Sequence, residues 1–209
     1  MSTSESKGIQ IVTDSTSDID PNAASDLGIH VVPLYVNFGE DSYKDSIDIS
    51  ADEFYEKLVG GTISPKTSQP TPEDFADIYR DLAAKGPVLS MHVSNLLSGT
   101  MNSATLARDI VLKEMPEAQI TDVDTFLASL GLANAVIETK KFCDDGASLE
   151  EAEEFAKSIS ARTRIIVSVD TLEYLVRGGR IGKARGLVGG LIQIKPILHL
   201  VDGEIHPYE

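Results

Sequence analysis

Short aliphatic runs alternate with helix-length segments through most of this chain, and that alternation restricts its fold more than any other feature. Segments 10–15, 88–94, 119–123 and 163–169 read as strands. Between them, 18–27, 71–85, 98–113, 126–144 and 149–161 read as helices. Local signals mark the helix starts: Pro21 in a first turn, Thr71-Pro-Glu-Asp74, Ser148, and the capping box Ser50-Ala-Asp-Glu53 opening a helix to Leu58. Successive parallel strands need a crossover, so this order selects an α/β fold with a mainly parallel sheet flanked by helices. Two stretches break the pattern. Segment 31–49 is β-rich, turns at 39–42 and contains Pro33; segment 195–208 turns at Asp202-Gly203, a strong hairpin signal. The reading is therefore two-lobed. Residues 1–162 form an N-terminal α/β lobe, and 163–209 begin a smaller mixed or antiparallel C-terminal lobe that hairpin 31–49 is expected to join. The stretch 64–72, with three prolines, reads as a polar loop.

The core must be largely aliphatic, because aromatics are 6 % of the 209 residues and tryptophan is absent. A formal net charge of −15 disfavours nucleic acid and allows only transient contact with an anionic membrane. One cysteine, Cys143, cannot make an internal disulfide and suggests a reducing compartment. The polar head 1–8 has no apolar signal core, and no run of about 18 apolar residues is present, so a cytoplasmic location is expected.

Common catalytic signatures are missing. Gly178-Gly-Arg-Ile-Gly-Lys-Ala184 is one residue short of a phosphate-binding loop and ends in alanine where a magnesium-binding hydroxyl is needed. The histidines at 30, 92, 199 and 206 are scattered; His199 and His206 face each other across the expected hairpin, which alone makes no metal site. One enzymatic alternative stands. Asp122-Val-Asp124 at a strand end, or Asp14, would suit a magnesium-dependent phosphotransferase or hydrolase. The plainer reading has Asp124 capping the next helix.

Three hydroxyl-rich turns fall where strands end: Thr13-Asp-Ser-Thr-Ser17, Thr67-Ser68, and Ser94-Asn95 with Ser98-Gly-Thr100. Ligands of open α/β sheets bind at the carboxyl ends of strands. Hydroxyls and free helix N–H groups there suit a carboxylate or phosphate. A second feature is a charge island. From Tyr174 to Val201 there is no acid, while Arg177, Arg180, Lys183, Arg185 and Lys195 fall within it. It reads as a solvated basic face or a docking face for an acidic partner. Leu187, Val188, Leu191, Ile192, Ile194, Ile197, Leu198 and Leu200 run between these charges. Such a run is core or the lining of an apolar tunnel.

Taken in order, several motifs resemble the DegV family. They are Ile11-Val-Thr-Asp-Ser-Thr16, Val32-Pro-Leu34 with Asp45, and Lys66-Thr-Ser-Gln-Pro70. Ser94-Asn-Leu-Leu-Ser-Gly-Thr100, Ser103-Ala104, Leu175-Val-Arg-Gly-Gly-Arg-Ile181 and Lys195-Pro-Ile197 follow. The resemblance implies two α/β lobes with a long-chain fatty acid between them and no metal or cofactor of the chain's own. It implies that Thr67, Ser68, Ser94, Asn95 and Ser98 form the lipid-binding set, with Ser98 mainly shaping the turn. It further implies a non-catalytic subunit that presents the acyl carboxylate to an ATP-binding fatty-acid kinase subunit, making acyl-phosphate for phospholipid synthesis. Arg177, Arg180 and Lys183 are then candidates for docking that partner. The family turn usually reads Ser-Ser where this chain has Ser94-Asn95, and an amide still donates to a carboxylate. Family members also continue beyond the last hairpin, so the second lobe is expected to be incomplete within 163–209.

Overall fold

The computed structural model describes residues 8–188 and 195–208. In chain order the first elements are β1 (Gln10–Asp14), α1 (Pro21–Leu27), β2 (Ile29–Val32), β3 (Tyr35–Phe38), β4 (Asp41–Lys44), α2 (Ala51–Gly60) and β5 (Lys66–Ser68). There follow α3 (Pro72–Ala83), β6 (Val88–His92), α4 (Thr100–Glu114), β7 (Ile120–Asp124), α5 (Ser129–Asp144) and α6 (Leu149–Arg162). Last come β8 (Ile166–Ser168), α7 (Glu173–Gly178), a 3-10 turn at Gly182–Leu187, β9 (Ile197–Val201) and β10 (Glu204–Pro207).

The main sheet has the order β2-β1-β6-β7 and every neighbouring pair is parallel. Its two faces are both covered, which is why its strands read as unbroken apolar runs. One face sets Ile11, Leu89, Met91 and Val123 against Leu132 and Val136 of α5 and Ala152 and Ala156 of α6. The other sets Val12 and Val88 against Phe75 and Tyr79 of α3 and Ala104, Ala107 and Val111 of α4. Each fully buried side chain of valine or leucine size contributes about 1.5–3 kcal/mol. The expected capping boxes are present at Ser50/Glu53, Thr71/Asp74 and Ser148/Glu151.

Four expectations need correction. The two hairpins do not share a sheet: one lies in β4-β3-β5 and the other in β10-β9-β8. The supposed loop 64–72 contains β5, which pairs antiparallel with β3 through Tyr35–Ser68 and Val36–Thr67. Pro65 and Pro70 flank it and hold it to three residues. The return strand is β4 at 41–44 rather than 43–49, because Ser46 is left-handed at φ 61° and leaves the ladder. Helix α5 begins at Ser129, three residues later than expected. Phe126 and Ser129 are left-handed (φ 55° and 51°), and the Phe126 N–H donates to Asp124 Oδ1 at 3.0 Å. Gly189, Gly190, Leu191, Ile192 and Ile194 lie outside the described residues. No helix among the described residues is long and apolar enough to cross a membrane.

Candidate ligand-binding site

Strand succession in the main sheet runs outward in opposite directions from the β1/β6 boundary. Such a reversal leaves a crevice at the carboxyl ends of the two central strands. Asp14 and Ser15 end one of them; His92, Val93 and Ser94 end the other. The Asp14 carboxylate binds both ends. Its Oδ2 accepts from the Val93 N–H at 3.0 Å and meets His92 Nδ1 at 3.0 Å. Its Oδ1 accepts from the Thr16 N–H at 3.1 Å and the Thr16 hydroxyl at 2.5 Å. On the far side of the imidazole, His92 Nε2 lies 2.6 Å from Ser90 Oγ, which accepts the Tyr79 hydroxyl at 2.8 Å. Asp14, His92, Ser90 and Tyr79 are all wholly buried, and burial pushes the Tyr79 phenol well above its ordinary range.

This chain of contacts was missed in the sequence. Ser90 and His92 share a face of one strand by the period of two. Only the β1–β6 register, Val12 beside Ser90, brings Asp14 next to His92. Aspartate, histidine and serine in this order form a nucleophilic relay in many hydrolases. Here Ser90 is sealed in the core and its oxygen is taken by Tyr79, so no substrate reaches it.

The lipid-binding residues expected from the sequence occupy two neighbouring loops. Ser94 is buried; its hydroxyl donates to the Gly203 carbonyl at 2.8 Å and accepts the Leu96 N–H at 3.2 Å. Its single proton is thus committed to the β9–β10 turn. Asn95 is exposed, its backbone N–H reaches Asp124 Oδ2 at 3.3 Å, and its side-chain amide has no partner among the described residues. Ser98 accepts the Thr100 N–H at 3.3 Å and lies 2.9 Å from the Thr100 hydroxyl, shaping the turn into α4. Thr67 and Ser68 are exposed on β5. Ser68 accepts the Asn37 amide at 3.1 Å, while the Thr67 hydroxyl is unpaired among the described residues. The two loops touch at Gln69 and Gly99. A Cβ on Gly99 would meet the end of the exposed Gln69 side chain, which would have to swing aside.

Leu97, in the same loop as Ser94, also lines an apolar cavity of about 570 Å³ with Leu130, Ile165, Val167, Leu198 and Ile205. That volume lies within the ~300–1,000 Å³ of small-molecule pockets. The basic island is not an unpaired face. Arg177 pairs with Glu173 at 2.5 Å, Lys183 with Glu204 at 3.5 Å and Lys195 with Asp170 at 2.6 Å. Arg180 Nε donates to the Leu97 carbonyl at 3.0 Å, so it grips the candidate ligand loop.

The phosphotransferase alternative finds no geometry. The Asp122 carboxylate, 2 % exposed, is held by Arg108 and by the Thr105 hydroxyl at 2.5 Å. Asp124 accepts backbone N–H groups of Phe126 and Asn95, and burial raises its pKa despite them. His199 and His206 do face each other, with ring centroids 6.0 Å apart. No group of three metal-ligating side chains forms among the described residues.

An open α/β sheet with hydroxyl-rich turns at its switch point, one of which also walls an apolar cavity, is an architecture suited to binding a small molecule. The chain belongs to the DegV family: the model of that family, described as an uncharacterised protein, matches residues 8–209. A DegV domain-containing protein of Halalkalibacterium halodurans is 38 % identical over 203 residues, covering 96 % of this chain and 70 % of the relative. The solved DegV family protein of Thermus thermophilus, described by its fatty acid binding, is 42 % identical. It superposes with a TM-score of 0.87 over 97 % of this chain and 71 % of its own. A stearic acid-binding protein from Eubacterium ventriosum is 34 % identical, with a TM-score of 0.90 over 96 % of this chain and 70 % of its own. Both solved relatives are described by fatty acid binding rather than by a reaction.

Proposed function

We propose that this chain binds a long-chain fatty acid, with its carboxylate at the paired loops and its acyl chain in the adjoining apolar cavity. The observation that carries this reading is the position of Leu97, which belongs to the polar Ser94–Thr100 loop and to the cavity wall alike. A ligand with a carboxylate head and an aliphatic tail is the chemistry that such a junction accepts. The solved relatives that bind fatty acids support it. Each buried methylene contributes ~0.8 kcal/mol, so a long tail is retained without a charged clamp. Thr67 and the Asn95 amide are the donors at hand. Ser68 and Ser98 support them, and Ser94 joins when its proton leaves Gly203.

The family resemblance extends the proposal. The bound acid is presented to an ATP-binding fatty-acid kinase subunit, and Arg177 and Lys183, both exposed, contribute to that docking. Arg180 acts from the ligand-loop side. Native mass spectrometry of freshly purified protein, followed by solvent extraction, tests the binding step. One fatty acid per chain is expected, reduced in a Thr67→Ala/Asn95→Ala double variant. An empty wild-type protein that also takes up no stearate overturns the reading. For the kinase step, acyl-phosphate should form only when the loaded chain, ATP and the kinase subunit are combined. Equal yield from Arg177→Ala/Lys183→Ala rejects the docking assignment.

A further inference from the structure

We infer that Asp14 is the positioning residue of this site: its carboxylate fixes the turn after β1 against the turn after β6, and ligand affinity depends on it although it touches no ligand. The inference rests on the fatty-acid reading above. Four donors converge on this one carboxylate. Two come from Thr16, in the first hydroxyl turn; one is the N–H of Val93, directly before Ser94; the fourth is His92. Asp14 and Val93 lie 79 apart in sequence. A wholly buried carboxylate must be paired on all sides, and charge-assisted bonds of this kind are about twice as strong as neutral ones. Neither turn can drift without leaving a buried acceptor short.

The rest of the network makes the strut directional. A carboxylate only accepts, so His92 presents Nδ1–H to Asp14 and takes the Ser90 proton at Nε2, while Ser90 takes that of Tyr79. The imidazole is fixed at both ring nitrogens, by Asp14 on one side and Ser90 on the other. Phe75 packs edge-on against it with centroids 5.0 Å apart. The Tyr79 and Ser90 end of this network lies in the core between α3 and β6, and only its Asp14 end reaches the turns that carry the ligand loops. Ser15 extends it, accepting the Leu34 N–H at 3.0 Å.

The test compares three delipidated variants, Asp14→Asn, Thr16→Val and Tyr79→Phe, by stearate affinity, urea midpoint and amide hydrogen exchange. Asp14→Asn keeps the shape but turns one acceptor into a donor; affinity should fall about tenfold or more, roughly 1.4 kcal/mol. Exchange at the Val93 and Thr16 amides should quicken while Leu89 and Met91 stay protected. Thr16→Val should lower affinity with a smaller loss of stability. Tyr79→Phe, at the far end of the chain of contacts, should lower the urea midpoint and leave affinity unchanged. Affinity that falls in step with stability in all three variants, Tyr79→Phe included, overturns the inference in favour of a plain structural role. So does wild-type affinity in folded Asp14→Asn. If Asp14→Asn does not fold, unchanged affinity in Thr16→Val overturns it. A wild-type chain that takes up no stearate instead overturns the fatty-acid reading, and the exchange at Val93 and Thr16 still reports whether Asp14 holds the two turns.

Discussion

Gly203 shows how much a single residue decides at the site. It sits at φ +81°, and a Cβ there would lie 2.3 Å from Ser94 Oγ and 2.9 Å from the Phe126 ring. Gly203→Ala therefore combines a left-handed backbone with a steric conflict. It should cost about 2 kcal/mol, read as a lower urea midpoint; an unchanged midpoint would contradict the seating of this turn on Ser94. Cys143 offers a second check at the same scale. It is buried on α5, and burial pushes its thiol up to about 11. Reactivity follows the thiolate, so iodoacetamide at neutral pH should leave the native protein unmodified and label it promptly in urea. Fast labelling of the native chain would show that α5 and α6 do not pack as described. The hydroxyl turns were legible residue by residue. Which hydroxyl is free was not, because Ser94 meets Gly203 across 109 residues of sequence.

Among the elements, helices announced themselves and short strands did not. Capping boxes and period-3.6 apolar faces are local, so α2, α3 and α6 begin where the sequence places them. Strand β5 was hidden because three exposed residues between prolines carry no alternation, and only β3 makes them a strand. Asp122 illustrates the same limit. In sequence Asp122-Val-Asp124 leaves a magnesium-dependent catalytic alternative open; in the fold α4 supplies Arg108 and Thr105 to hold Asp122. Arg108→Ala should therefore destabilise the protein by about 2 kcal/mol, discounted from the usual cost of breaking a buried pair because Arg108 is partly exposed. Arg108→Ala/Asp122→Asn should regain much of that loss. Equal stability of Arg108→Ala and wild type in urea would mean that Asp122 is free.

At the scale of the whole molecule, the long-range hydrogen bonds between the parallel sheet's lobe and the β8–β9–β10 lobe gather on one loop, beside the packing of Ile165 on the main core. Among the described residues, two side-chain hydrogen bonds between 8–162 and 163–208 sit at the end of α6, Thr163 to Ile159 and Arg164 to Ala161; the other two are Ser94 to Gly203 and Arg180 to Leu97, both on the Ser94–Thr100 segment. Arg180→Ala should leave the parallel sheet intact while proteolysis within 163–208 quickens. Unchanged cleavage there would show that other packing holds the second sheet. The sequence by itself determined the α/β class, the mainly parallel main sheet, the starts of α2, α3 and α6 and the hydroxyl turns, because each follows from local periodicity, capping chemistry or chain connectivity. It also carried the family resemblance. Only the tertiary structure decided which sheet each hairpin enters, which acids neutralise the basic island, that Asp14 binds two turns at once, and that Leu97 joins the polar loop to an apolar cavity. Those facts rest on contacts between residues far apart in sequence, and no local pattern encodes which distant partner completes a hydrogen bond or closes a cavity wall.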